Sequence, residues 1–381
     1  VSDRFFNPTR IVYGPGSLSQ LPDHLPAGTR AEQILLISDA GLRRAKITQR
    51  AQELLPGAEI FEEIEPNPRL TTVDRAGDLA RDIGARVVVG LGGGSVLDAA
   101  KAVALLAVNP GSIADYEGRE RYSAPPLPVL AVPTTCGTGS EVTWVAVITH
   151  TGRRFKMSIK GPAMFPAVAL VDPDLLASLP PALVASTGMD ALVHAIEAYT
   201  VKPATFVTDA FAVEAVRMSF RFLRKAWAGI RDDHEARDGV MKASLLAGLG
   251  FGNSDVGAVH CLSESVGALL DTPHGVANAV FLPYVMEFNL PAASGRYADL
   301  ARAAGLEGGD TESLARRFIQ EIRELAGAIG IPEFKRLGIP EERFREIADK
   351  SFANNSNPSN ARDASAEDYL GILERAQSEG V

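Results

Sequence analysis

Short apolar runs alternate with helical stripes through the first half of the chain and give way to almost continuous helical spacing in the second. FFNPTRIVYGPGSLSQLP opens with a short β-like run and a Gly-Pro-Gly turn. ILLISD (Ile34 to Asp39) reads as a buried strand, followed by a helical stretch from Gly41 to Leu55. A second strand near Ile60 to Ile64 precedes PNP and the helix of TTVDRAGDLARDIG, and a third, Val87 to Gly93, runs into SVLDAAKAVALLAV. VLAV and VALVDPDLLASLPP continue the pattern, and Pro180-Pro181 marks a boundary. Alternation of this kind predicts a parallel sheet with helices on both faces. Beyond Pro181, segments such as TDAFAVEAVRMSFRFLRKAW and TESLARRFIQEIRELAGAIG carry apolar residues three and four apart, which predicts helices. The expected organisation is an α/β domain over 1–180 and an all-α domain over 181–381.

Composition narrows the class. A chain of 381 residues can form two domains sharing a cleft, and 46% hydrophobic with 22% charged residues is ordinary for a soluble globular protein. A net charge of −9 argues against nucleic acid or an anionic membrane as partner. No apolar run is long enough to span a bilayer, and the opening residues carry no secretory pattern. Cys136 and Cys261 lie in separate motifs, and two free thiols fit a reducing cytoplasm, the expected location.

Candidate chemistry gathers in two stretches. In STGMDALVHAIEAY, Asp190 and His194 stand at i and i+4, on one face of a predicted helix. GAVHCLSESVGALLDTPHGVANAV supplies His260 and His274, so three of the chain's six histidines fall here. One oxygen and three nitrogens suit a divalent first-row metal and leave room for a substrate oxygen. The same residues also fit a hydrogen-bonded pair and a helix start after Pro273. Elsewhere, GLGGGSVLDAAK places Gly92, Gly93 and Gly94 before a helix starting at Ser95, an arrangement that lets amides approach a diphosphate. It equally fits a Gly-rich turn with a capping box, Ser95 reaching forward and Asp98 back. Asp39, at a strand end, suits either two ribose hydroxyls or a helix N-cap.

GMDALVHAIEAY and TPHGVANAVFLPYVMEFN resemble the metal-binding segments of the iron-containing (group III) alcohol dehydrogenases, and GGGSVLDAAK matches that family's GGGSxxDxAK pattern. The resemblance covers nearly the whole chain. It implies a dehydroquinate synthase-like architecture, with iron(II) or zinc held by Asp190, His194, His260 and His274. It further implies NAD bound through Asp39, Gly92, Gly93, Gly94, Ser95 and Asp98, through Thr134, Thr135 and Thr138 of PTTCGTGSEVT, and through Lys156. Val145 and Phe251 are expected beside the substrate, although core packing accounts equally well for Phe251. NNSNPSNARDASAEDYLGIL matches a closing segment of the family, and places Ser356 near the pocket. A homodimer is the family expectation. One position departs from the pattern: many members carry a further His one turn after the third ligand, where this chain has Glu264. A solvated or capping carboxylate, an extra ligand, and a group that relays a proton or holds a substrate hydroxyl are its three readings.

The expected activity is hydride transfer between NAD(H) and a small primary alcohol or aldehyde. A carboxylate at Asp39 would repel a ribose phosphate and so favour NAD(H). A maleylacetate reductase-like enzyme or a non-dehydrogenase of the same superfamily is the alternative, and Asp98 with the complete ligand set favours the alcohol dehydrogenases. Dehydroquinate synthase chemistry needs a basic pocket, and no Lys/Arg cluster flanks the ligand segments. A non-catalytic NAD-binding or metal-storage protein is the reading from a different class.

Overall fold

The structure, a computed structural model, describes residues 4–379. The chain divides into two compact units. The α/β unit comprises Asn7–Thr135 and Gly139–Ser178, and the helical unit takes residues 4–6, Cys136–Thr138 and the chain from Leu179 onward.

The α/β unit is built on a six-stranded parallel sheet of β1 (Arg10–Tyr13), β2 (Ile34–Ile37), β3 (Glu59–Phe61), β4 (Val87–Gly92), β6 (Val129–Pro133) and β9 (Val168–Val171), in the order β1-β9-β6-β4-β2-β3. A smaller sheet joins β5 (Gly118–Arg119) to the antiparallel pair β7 (Val145–His150) and β8 (Phe155–Lys160). The strands of the large sheet are apolar at successive positions because both faces are covered. Leu35, Ile37 and Val88 enter one core with Val73, Ala76 and Val103, whereas Ile34, Leu36, Val87 and Val89 enter another with Leu18, Ile47 and Leu130. Side chains with a period of two therefore feed two separate cores. The covering helices are α1 (Ala40–Arg44), α2 (Ile47–Leu54), α3 (Leu70–Asp82) and α4 (Gly94–Leu106).

Two expectations need correction here. The helix expected over Gly41 to Leu55 is two helices, broken at Lys46, whose φ of 61° is left-handed and cannot continue either one. The helix expected to start at Ser95 starts at Gly94 with Gly93 as N-cap, and no side chain caps it, so there is no Ser95/Asp98 capping box. Asp98 is occupied elsewhere: Ser140 Oγ donates to its Oδ1 at 2.6 Å and the Val147 amide to its Oδ2 at 3.0 Å. Lys101, 1% exposed, donates to Ser140 Oγ, Thr143 Oγ1 and the Val145 carbonyl at 2.8, 3.2 and 2.9 Å. Burial, partly offset by the carboxylates of Asp98 and Glu141, brings its pKa down to about 8.

The helical unit contains α5 (Pro181–Thr200), α6 (Phe206–Gly229), α7 (His234–Phe251), α8 (Ala258–Leu270), α9 (His274–Ala303), α10 (Thr311–Ala328), α11 (Phe344–Phe352) and α12 (Ala366–Glu379). Pro181 sits in the first turn of α5, where its missing N–H costs nothing. From Gly188 to Thr200 every residue of α5 is buried, and α6, α7 and α9 pack around it. A helix buried on all sides must satisfy any polar side chain it carries within the core. Arg296 ties its far end: Nε donates to the Tyr199 carbonyl at 2.6 Å, the guanidinium pairs with both oxygens of Asp209, and it lies 4.2 Å over the Tyr199 ring.

At the near end, α9 enters against the α5 backbone. A Cβ on Gly275 would lie 2.4 Å from the Ser186 carbonyl oxygen, so only glycine permits this approach, and it sets His274 beside α5. Gly275→Ala should lower stability by about 1–3 kcal/mol through overpacking. Gly295→Ala, on the same helix with nothing within 4 Å, should instead stabilise by about 0.5–1 kcal/mol. Urea unfolding of the two variants checks both signs.

Candidate metal centre and cofactor loops

Three helices of the helical unit carry the four expected ligands, and they bring Asp190, His260 and His274 into one group, with His194 beside it and outside it. Asp190 and His194 project from consecutive turns of α5, His260 lies in the first turn of α8, and His274 begins α9. Asp190, His194 and His260 are buried and His274 is half-buried. One ligand atom from each of Asp190, His260 and His274 lies within 4.8 Å of the others. His194 Nε2 is 3.0 Å from His260 Nε2, and its Nδ1 is 3.9 Å from Asp190 Oδ2. Burial holds the pKa of His194 down at about 4, so at neutral pH the ring is uncharged and has a lone pair to offer. Burial works against the charge of Asp190 too, but the surrounding imidazoles and the hydrogen bond from Asn278 together outweigh it and lower its pKa.

Whether these residues suit a cation can be judged from Asn278, one turn into α9. Its Nδ2 donates to Asp190 Oδ1 at 2.7 Å and lies 3.2 Å from His260 Nε2 and 3.1 Å from His274 Nε2. One atom from each of three side chains thus converges on a single NH2 group, more partners than its two hydrogens can serve, while the buried Asn278 Oδ1 has no hydrogen-bond partner. A carboxylate oxygen and two imidazole nitrogens gathered at one point suit a divalent first-row ion.

Around this cluster, Phe251 stacks on the His194 ring, with centroids 4.2 Å apart and planes 17° apart. Glu264 stands one turn beyond His260 on α8, half-buried, and accepts from Asn354 Nδ2 at 2.7 Å. It is outside the group of converging ligand atoms. Ser356 is buried and donates to Asp255 Oδ1 at 3.1 Å. Two further residues belong to the cluster although the motifs did not mark them. Glu197 approaches His260 Nδ1 at 2.5 Å through Oε2, and Asn278 is the donor just described. Their spacing was a usable signal: Glu197 follows Asp190 and His194 at i+7 and i+3, and Asn278 follows His274 at i+4.

The loop Pro133–Thr143 is divided. Thr134 and Thr135 stay with the α/β unit, where the Thr134 amide bonds the Gly92 carbonyl at 3.0 Å and the Thr135 side chain lies against Gly93. Thr138 belongs to the helical unit along with Cys136, whose Sγ is 3.4 Å from Thr187 Oγ1 on α5. In the α/β unit, a Cβ on Gly92 would lie 2.4 Å from that of Val96, which is how closely α4 meets the end of β4. With Gly93 as N-cap, and Gly94 and Ser95 in the first turn, side chains leave the leading amides of α4 uncapped. Such a terminus attracts anions. Asp39 caps α1, taking the Gly41 and Leu42 amides at 2.6 and 3.0 Å, both on Oδ1. Lys156 donates to Asn67 Oδ1 at 2.9 Å, and Val145, half-buried, opens β7.

Comparison with known proteins finds relatives for both halves of the chain. The family description "Iron-containing alcohol dehydrogenase" matches residues 8–173, and "Fe-containing alcohol dehydrogenase family, C-terminal" matches residues 184–377. The chain is 37% identical to the NAD-dependent methanol dehydrogenase of Bacillus methanolicus, covering 98% of this chain and 99% of that protein. It is 38% identical to the 1,3-propanediol dehydrogenase of Klebsiella pneumoniae over 97% of each. A crystal structure of a 1,3-propanediol oxidoreductase superposes with a TM-score of 0.91 at 36% identity, covering 99% of this chain and 100% of that one. Both halves match in order and over nearly their full length, and the chain therefore belongs to the iron-containing alcohol dehydrogenase family.

Proposed function

We propose that this protein is an NAD-dependent, metal-dependent alcohol dehydrogenase or aldehyde reductase acting on a small primary alcohol and its aldehyde. The observation that carries the reading is the convergence of Asp190, His260 and His274 on one point, with His194 against His260, in a chain whose two halves match this family. When bound, NAD(H) supplies or accepts the hydride, and the ion, iron(II) in our reading, polarises the alcohol or carbonyl oxygen.

The chain's own residues have distinct tasks in this reading. Asp190, His194, His260 and His274 hold the ion. The uncapped first turn of α4, with Gly92, Gly93, Gly94 and Ser95, receives the diphosphate through backbone amides. Asp39 spends Oδ1 on its cap and offers Oδ2 to the ribose. Thr134, Thr135, Thr138 and Lys156 contact the cofactor directly, whereas Asp98 and Lys101 act through the Ser140–Val147 segment they brace. Phe251 and Val145 face the substrate, and the stack of Phe251 on His194 keeps water from that ligand. Glu264, aimed by Asn354, accepts a substrate hydroxyl or passes on its proton. The protein works as a homodimer in the cytoplasm; two buried free thiols fit that compartment. Among the described residues no helix is long and apolar enough to cross a membrane.

NADH consumption across a panel of simple and hydroxylated aldehydes, with metal analysis of the purified protein, tests the whole reading. Turnover with at least one aldehyde and about one divalent ion per chain are expected. His260→Ala should lose its metal and more than about 100-fold in kcat/KM, beyond what an outer partner costs, while keeping its circular dichroism. An active, metal-free variant would overturn the ligand assignment.

Asp39→Gly should raise the ratio of NADP(H) to NAD(H) efficiency about tenfold, worth ~1.4 kcal/mol, at a cost of only a few tenths of a kcal/mol as a cap. Equal use of both cofactors by the wild type would remove Asp39 from the ribose. Glu264→Gln should reduce kcat/KM about tenfold or more with metal content unchanged. Loss of metal would make Glu264 a ligand, and unchanged kinetics would leave it a structural acceptor for Asn354.

A further inference from the structure

The face of α5 that carries Asp190 and His194 ends in Glu197, a carboxylate only 4% exposed. Its two oxygens serve different partners. Oε1 accepts the Val259 amide of α8 at 2.8 Å, a helix whose N-cap, Gly257, has no side chain to offer. The neighbouring Ala258 amide goes to Asn360 Oδ1 at 3.2 Å. Oε2 meets His260 Nδ1 at 2.5 Å. A carboxylate accepts, so the hydrogen in that contact belongs to Nδ1, and a neutral ring then has its lone pair on Nε2. Nε2 is the atom 3.0 Å from His194 Nε2 and 3.2 Å from Asn278 Nδ2.

We propose that Glu197 is a positioning residue that holds His260 in the Nδ1–H tautomer and locks its ring to the start of α8, and thereby sets the affinity of the site for its divalent ion. This rests on the reading that Asp190, His194, His260 and His274 bind the ion. The chemical reason is a count of acceptors. Val259 N–H and His260 Nδ1–H are both donors, and a carboxylate satisfies both. A glutamine has one oxygen and one NH2 group, so Glu197→Gln satisfies only one of them. With its NH2 turned to Val259, two donors face each other and the start of α8 is pushed away. With its NH2 turned to His260, Nδ1 must accept, the ring proton moves to Nε2, and the lone pair aimed into the cluster is lost. Both outcomes weaken the site, although the substitution changes neither size nor any ligand. Glu197→Asp keeps two acceptors on a shorter arm and separates acceptor count from reach.

The test uses the full-length protein freed of metal by chelation and titrated with cobalt(II) alone, followed by calorimetry and by the visible absorption of the bound ion. Glu197→Gln should bind 10- to 100-fold more weakly than wild type, the range that outer partners of metal ligands typically contribute. Glu197→Asp should retain most of the affinity. In the metal-free proteins Glu197→Gln should unfold no earlier than Glu197→Asp, whose shorter arm disturbs the same two contacts, so a fall in midpoint does not account for a loss of affinity confined to Gln. Wild-type affinity in Glu197→Gln would overturn the proposal. So would equal weakening in Gln and Asp, or losses of affinity that rank the two variants as their metal-free midpoints do, because either makes Glu197 a packing residue only. Failure of the metal-centre reading looks different: wild type would bind no stoichiometric cobalt, or His260→Ala would bind it as tightly as wild type.

Discussion

An ionised carboxylate in a water-poor core costs several kcal/mol unless hydrogen bonds or opposite charge replace its water, and α5 carries two such groups. Asp190 and Glu197 lie on one face of a helix that is buried on every side. Neither can reach solvent, so each has to be met by donors brought from α8 and α9. Asp190 receives the amide of Asn278, and Glu197 receives the Val259 amide and the ring of His260. The need to satisfy these carboxylates therefore fixes where the other two helices begin. Histidines at those beginnings then face inward as a group.

The approach depends on shape as well as charge. Gly275 lets the first turn of α9 lie against the Ser186 carbonyl, and Arg296 anchors the opposite end of α5 to α6 and α9. With both ends of α5 held, the ligand side chains have little freedom to drift. Preorganisation of this kind lowers the cost of gathering several groups around one ion, as the proposed metal site requires. In the proposed cofactor site the α/β unit applies similar physics to an anion. Bare amides at the start of α4 are left for an anion, while the charged residues of the same helix, Asp98 and Lys101, are turned inward to brace the segment from Ser140 to Val147.

Much of this was legible in the residues. Strand and helix alternation identified the parallel sheet, because a strand buried on both faces has an unmistakable run of Val, Leu and Ile. The i, i+4 spacing of Asp190 and His194 placed both on one helical face. Glu197 and Asn278 had the same kind of spacing, yet one more Glu or Asn on a helix looks like any solvated position until its burial is known. Lys46 could not be identified as a break, since a lysine with left-handed φ has no local signature. Asp98 looked like half of a capping box, and only the distant residues Ser140 and Val147 explain why it is not.

Taken alone, the sequence determined the periodicities, the chemical identity of the donor set and the family pattern, because those depend on local order and side-chain type. Tertiary structure decided which polar groups meet. The contact of Glu197 with His260 joins α5 to α8, and that of Asn278 with Asp190 joins α5 to α9. Such pairings follow from helix approach, which a single glycine contact can set, and from the demand that every buried charge find a donor. Neither condition is written at any one position of the chain. Both emerge only when the helices pack.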